Sequence, residues 1–431
     1  METGLLAFGA YLPVRRLQRT AVAQTHAWFN PGLKGLGRGE RTIANWDEDA
    51  VTMSVEAARN CLEGRDRDDI DAIWLASTSL PFRDRQNAGI VGDALSLKSA
   101  AMTLDVASSQ RAGTTALMAA LQSGSQALVV GADRRAAKAG SPQEMTYGDG
   151  AAALLVGTGD VVARLIGSHS EAVDFVDHYR GESGEFDYAW EERWVRDEGH
   201  MKITPRAIKA LFDATGADAA SVSRFCYSAT GRGVAAKVAK ASGLPDESVA
   251  DNLQSNIGET GVAHPLLMLA QALESAEPGD RILVASFGQG CDALLFEATD
   301  AIKNRPAKSI ASQIDKGRAD DNYTRFITLN GLVNVEQGIR ALLLAAASIA
   351  ILTTIGILFS LIFNTIEFFR LYPFWAFFGG TEWAPSFSGR GGSSSLGVLP
   401  LLWGTFYISI VALLVAVPIG LFSAIYLAEY A

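Results

Sequence analysis

Two uninterrupted apolar stretches limit what this chain can fold into more than any other feature. Residues 341–366, ALLLAAASIAILTTIGILFSLIFNTI, and 398–428, VLPLLWGTFYISIVALLVAVPIGLFSAIYLA, contain no charged side chain. At about 1.5 Å of rise per residue, either stretch as a helix exceeds the ~30 Å apolar core of a bilayer. Two transmembrane helices are therefore predicted, the second kinked near Pro418 and Gly420, with neighbours satisfying the freed backbone groups. The connecting residues 367–397 combine interfacial aromatics with a Gly/Ser loop, and Trp375, Trp383 and Trp403 fit an aromatic belt. The positive charges hardly set an orientation, because Arg325 and Arg340 flank one side and Arg370 and Arg390 the other. If the preceding residues are cytosolic, the 367–397 loop lies outside and Ala431 inside.

The chain before Arg340 is of another kind. Lys316 is the last lysine, His264 the last histidine and Cys291 the last cysteine. The N-terminal METGLLAFGAYLP has neither a basic n-region nor a long apolar h-region, so no signal peptide is expected. A net charge of −10 argues against nucleic acid as a partner, since phosphate binding needs clustered Lys and Arg. Cys61, Cys226 and Cys291 lie far apart, which fits a reduced compartment and offers no zinc-site spacing. No pairing of His with carboxylate has metal spacing, so no metal is predicted.

Apolar runs DAIWLAST (71–78), QALVVGAD (126–133) and RILVASFG (281–288) have the look of buried strands. Helical stretches lie at 50–64, 88–97 and 234–244. This alternation implies an α/β fold with a largely parallel sheet. There is also an internal echo. GDGAAALLVG (148–157) and GQGCDALLFE (288–297) share the pattern G-x-G-x-x-A-L-L, and IWLAST (73–78) echoes FCYSAT (225–230). Two diverged copies of one α/β unit account for both. Gly148, Gly150, Gly288 and Gly290 are candidate cofactor-binding positions, although such glycines equally serve tight turns and close strand approach.

The duplicated unit, GAYLP (9–13), the elbow TLDVASSQRAGTTAL (103–117), YGDGAAALLVG (147–157) and SFGQGCDALLF (286–296) together resemble the thiolase superfamily. Within it they look most like the bacterial and archaeal hydroxymethylglutaryl-CoA synthase branch, as does the tail NYTRFITLNGLVNVEQGIR (322–340). The resemblance covers roughly residues 3–340. It implies a duplicated thiolase-like fold, layered αβαβα, with halves at 1–160 and 161–300 and a tail at 301–338. It further implies Claisen-type condensation on an acyl-CoA, a homodimer, and a zinc-ribbon/OB-fold partner protein, with coenzyme A thioester as ligand and no covalent cofactor.

Carried over one position at a time, the family's nucleophilic cysteine falls at Gln110. Its catalytic His falls at Ser228, its polar Asn at Glu259, and the synthase acid/base Glu at Thr78. All four catalytic positions depart from the family pattern. A glutamine amide holds no acyl group, though it retains donors and an acceptor. Ser108 and Ser109 flank Gln110 as substitute nucleophiles, or as cap and turn residues. His264, five residues after Glu259, is a candidate acid/base partner, or a histidine packed at a helix start before Pro265. His178 lies between Asp177 and Arg180, ahead of the acidic-aromatic run FDYAWEERWVRDEG (186–199). This excursion reads as a cap on a substrate pocket or as a solvated face with charge pairs.

Residues 339–431 resemble the N-terminal part of a phosphate ABC transporter permease. The likeness is carried by IRALLLAAASIAILTTIGILFSL (339–361), FFGGTEWAP (377–385) and LPLLWGTFYISIVALLVAVPIGLFSAIYLAEYA (399–431). Such permeases continue with further helices and a coupling loop, so this chain is read as a truncated segment that does not transport phosphate alone. The two resemblances meet at Gly338-Ile339-Arg340 without a Gly/Ser/Pro linker, which reads as a chimeric join. Three functions follow: an acyltransferase with non-standard groups, a non-catalytic CoA-binding scaffold, or a membrane subunit of a phosphate transporter. The expected location is the inner membrane with residues 1–338 in the cytoplasm, or the cytoplasm alone if the permease-like segment is an artefact.

Overall fold

A computed structural model describes residues 2–181, 184–303, 309–332, 335–385 and 394–430. The chain forms two compact units, Met1–Val333 and Asn334–Ala431.

The first unit is built on nine strands: β1 (Thr3–Tyr11), β2 (Ala72–Ala76), β3 (Met102–Val106), β4 (Ala127–Asp133), β5 (Gly150–Thr158), β6 (Ala163–Ala172), β7 (Val222–Tyr227), β8 (Arg281–Phe287) and β9 (Gly290–Ala298). Their order across the sheet is β7-β8-β9-β6-β1-β5-β4-β2-β3. Two half-sheets are visible in this order. They meet where β1 and β6 pair through only Gly4↔Arg164 and Leu5↔Ala163. A side chain at Gly4 would place its Cβ 2.1 Å from the Ala163 carbonyl oxygen, so the seam closes only over glycine. Counted outward from the seam, β5 matches β9, β4 matches β8, and β2 matches β7. The internal echo at 148–157 and 288–297 thus lands on equivalent strands, as does that at 73–78 and 225–230.

Six helices cover these half-sheets: α1 (Ala50–Cys61), α2 (Asn87–Ala94), α3 (Ala112–Ser123), α4 (Ile203–Thr215), α5 (Val234–Ala241) and α6 (His264–Ser275). Strand alternation decides which face each residue serves. In β4, Leu128 and Val130 pack with α1 and α2, while Val129 points to the opposite core. That opposite core is shared: α3 and α6 lie in it with Val129 and Leu154 from one half-sheet and Val284 and Leu294 from the other. Beyond the second half-sheet, Leu283 and Leu295 pack on α4 and α5. The layers therefore run α1/α2, sheet, α3/α6, sheet, α4/α5.

The expectation of a largely parallel sheet is corrected. Among the described residues of the nine-stranded sheet, only β2–β3, β2–β4 and β7–β8 are parallel. Between β8 and β9 the connection decides it, since Gly288-Gln289 is too short for anything but an antiparallel turn. β4 and β5 are also antiparallel, across the longer connection 134–149.

The second unit contains α7 (Val335–Leu371), a short helix at Phe374–Gly379, a two-residue strand pair at Trp383–Ala384 and Ser395–Leu396, and α8 (Leu399–Tyr430). Within these, Ile339–Leu371 and Leu399–Phe422 are long and apolar enough to cross a membrane, with none of the apolar stretch buried. Pro418 lies inside α8. The predicted Gly/Ser loop falls largely on 386–393, outside the described residues.

Candidate active site

The strand-to-helix elbow stands where the sequence places it, between β3 and α3. Ser108 carries a left-handed φ of 72°, and Gln289, across the cavity, one of 53°. Such backbone is costly outside glycine and concentrates at functional sites. The β8–β9 turn passes directly over the elbow at Gly288. A Cβ there would lie 3.0 Å from the Arg111 nitrogen and 3.2 Å from the Gln110 nitrogen. Arg111 locks the elbow, donating to the Gly288 carbonyl at 2.9 Å and pairing with buried Asp292 at 2.6 Å. Asp292 also accepts from Thr114 and Thr115. Asp105, near the end of the elbow strand, caps α2 by accepting from the Asn87 and Ala88 backbone N–H groups.

A cavity of about 780 Å³ opens beside the elbow, lined among others by Thr78, Gln110, Arg134, Asp177, His178 and Arg180. Gln110 Nε2 lies 3.1 Å from His178 Nε2, and His178 Nδ1 lies 3.1 Å from Asp177 Oδ2. Burial disfavours the imidazolium, but the hydrogen bond and charge of Asp177 outweigh it and raise the His178 pKa above its ordinary value. His178 is fixed by a small strand pair, His178–Tyr179 with Tyr188–Ala189. Arg180 reinforces that pair through Asp187 at 3.0 Å and donates to the Thr78 carbonyl. Tyr147 in turn donates to Asp187 at 3.0 Å. Of the acidic-aromatic run 186–199, Asp187 lines the cavity.

Of the four carried-over positions, Thr78 and Gln110 line the same cavity and the other two do not. Thr78 lines the cavity beside Gln110, but its hydroxyl is spent on Asp133 at 3.0 Å. Asp133 also accepts from Ser77, Ser79 and the Val262 N–H. Ser228, half-buried just after β7, and Glu259 are not among the cavity-lining residues. Glu259 is buried in an ion pair with Arg135, whose guanidinium stacks 3.7 Å from the centre of the Tyr147 ring. Burial alone would raise the Glu259 carboxyl, but Arg135 overrides it and holds the pKa low.

The alternates are engaged as well. Ser109 donates to the Gly288 carbonyl at 3.0 Å. His264 is fully buried, its Nδ1 accepting from the Thr260 N–H and its Nε2 facing the Asn252 carbonyl at 2.7 Å. Burial lowers its pKa, against the opposing charge of Glu259. Of the four glycines, Gly288 lines the cavity. A Cβ at Gly148 would strike the Ile257 carbonyl, and one at Gly290 the Glu171 carbonyl, both at 1.9 Å, while one at Gly150 would meet Leu12 at 3.2 Å. Among the described residues no group of His, Cys, Asp and Glu is arranged to hold a metal ion.

Two layered half-sheets around a shared helical core, with an elbow under a glycine turn, define a thiolase-superfamily fold. The chain aligns with a solved hydroxymethylglutaryl-CoA synthase complexed with CoA at a TM-score of 0.66 and 19% identity, over 76% of this chain and 90% of that one. It aligns with 3-oxoacyl-[acyl-carrier-protein] synthase III of Aquifex aeolicus at 0.60 and 21%, over 68% and 99%. The family model for the C-terminal part of 3-oxoacyl-[acyl-carrier-protein] synthase III matches residues 212–296. Hydroxymethylglutaryl-CoA synthase of Aeropyrum pernix is 31% identical over 351 residues, 78% of this chain and 96% of that protein. That of Pyrococcus horikoshii is 29% identical over 326 residues, 73% and 91%. The chain belongs to the hydroxymethylglutaryl-CoA synthase family.

Proposed function

We propose that the first unit binds an acyl-CoA thioester in the Gln110 cavity and forms no acyl-enzyme. The observation that carries this reading is Gln110 itself, at the elbow with its amide against His178. No thiol stands in for the missing nucleophile. Cys61, Cys226 and Cys291 are all buried, and burial pushes each thiol up to about 12. A thiol rather than a thiolate is a poor acyl acceptor. The CoA-bound state of a solved relative supports the ligand class. The test is incubation of the full chain, in detergent, with acetyl-CoA. Calorimetric binding without an acetyl adduct in the intact mass is expected, and an adduct on Ser108 or Ser109 would overturn the reading.

Family likeness also supports a homodimer through the exposed edge strand β3. Met102 and Leu104 there are 54% and 38% exposed, and unpaired edges seek partners. The two apolar helices support attachment to the inner membrane with residues 1–338 on the cytoplasmic side. The permease likeness of 339–431 supports a bilayer-embedded role for that segment without transport by this chain alone.

A further inference from the structure

We propose that this cavity hydrolyses its acyl-CoA thioester directly, with water as nucleophile, His178 as general base and Asp177 positioning it. The inference rests on the acyl-CoA-binding reading and adds a reaction to it.

The order of groups is the first argument. Asp177 accepts from His178 Nδ1–H, which leaves the Nε2 lone pair facing the cavity, where the Gln110 amide donates into it. Carboxylate, imidazole and elbow residue follow one another as in a nucleophile triad, except that an amide stands in the nucleophile's place. An amide cannot be activated for attack, so the base is left for a small external nucleophile. The cavity that holds this base has polar lining residues, Ser77, Ser79, Arg83 and Asp105 among them.

The second argument is the state of Asp177. Its Oδ1 is buried and has no hydrogen-bond partner. Leaving a buried carboxylate oxygen unsatisfied is destabilising, and the arrangement directs the carboxylate at His178. Structural ion pairs elsewhere in the unit, such as Arg111–Asp292, have their oxygens occupied. The Asp177–His178 pair is poised for chemistry instead.

The step balances without a further reactant. Thioester binding draws the Gln110 amide from His178 to the thioester carbonyl oxygen, where it stabilises the developing oxyanion. The freed Nε2 takes a proton from water as the water oxygen bonds to the carbonyl carbon. Collapse breaks the carbon–sulfur bond, and the imidazolium returns its proton to the departing thiolate. The products are a carboxylic acid and free CoA thiol.

The test uses the full chain in detergent micelles with acetyl-CoA and acetoacetyl-CoA as probes, following thiol release with a chromogenic thiol reagent. The protein's own cysteines are buried and contribute little background. Release above the uncatalysed rate is expected. His178→Gln should lower kcat by roughly 10²- to 10⁴-fold, the ordinary range for a general base. Asp177→Asn should lower kcat without raising KM, and Asp177→Glu should recover part of the loss. Binding without thiol release, or release unaffected by His178→Gln, overturns the proposal and leaves the binding reading intact. Absence of binding by the unaltered chain overturns the binding reading itself.

Discussion

Replacing Glu259 by alanine tests whether the family's polar position has become a structural ion pair. Glu259 and Arg135 have side chains only 10% and 3% exposed, and Glu259 Oε1 also accepts from the Gly261 N–H at 2.8 Å. Truncation leaves the Arg135 guanidinium buried without its counter-charge, held by the Tyr147 ring and the Glu259 backbone carbonyl. Losing one partner of a buried pair costs about 3–5 kcal/mol. Unfolding entropy of ~2.1 cal/mol/K per residue gives roughly 0.7 kcal/mol/K for a unit of this size, so the midpoint should fall by about 4–7 °C. The double variant Arg135→Met/Glu259→Leu should recover most of that loss, because no charge is then stranded. The pair is also pH-dependent. Glu259 has a depressed folded pKa, so its contribution is complete above the unfolded carboxylate range and is lost as pH falls through the folded value. Glu259→Ala should therefore converge on the unaltered protein in acid. Thermal melts of the full chain by circular dichroism, in the same detergent across pH, measure both effects. A Glu259→Ala midpoint within about 1 °C of the parent at neutral pH would refute the reasoning, since that lies inside the range of an ordinary surface change.

Other consequences are as specific. Gln110→Cys places a thiol near His178 Nε2, and intact-mass analysis after acetyl-CoA should show one acetyl adduct absent from the parent. Leu104→Arg, on the exposed edge strand, should shift a dimer to monomer in native mass spectrometry without changing the circular dichroism spectrum. Alkaline carbonate washing should leave the chain in the membrane pellet, as expected of Ile339–Leu371 and Leu399–Phe422 acting as spans. Recovery in the supernatant would count against a spanning role.

Much of the fold was legible because buried strands and amphipathic helices leave local signatures. The runs at 71–78, 126–133 and 281–288 became β2, β4 and β8, and the glycine echo located the equivalent strands β5 and β9. β6 was harder to read because its residues are mostly only half-buried, so no apolar run marks it. Strand direction was misjudged because strands buried on both faces give the same continuous apolar runs whether their neighbours are parallel or antiparallel. The site was legible only in part. His178 drew attention through its acidic and aromatic neighbours, yet its partner Gln110 is 68 residues away. Nothing in the sequence joins Arg135 to Glu259, 124 residues apart. Asp105 lies in the elbow strand, and nothing in the sequence says what it holds. Its actual partners, the first N–H groups of α2, emerge only once β3 and α2 are packed together.

The seam at Gly4 has a historical meaning. A duplicated unit begins with two copies of every edge, and one edge from each copy must be joined. Here that join is made by two residue pairs, while the other strand pairings of the large sheet stay within a single copy. Along the sheet, each copy was therefore free to drift in its own direction, with Gly4 as a fixed point between them. The copies have kept their glycine-marked buried strands, and the 73–78 and 225–230 echo still closes on the same residue type, Thr78 in one copy and Thr230 in the other. Ancestry in this chain is recorded in its interior.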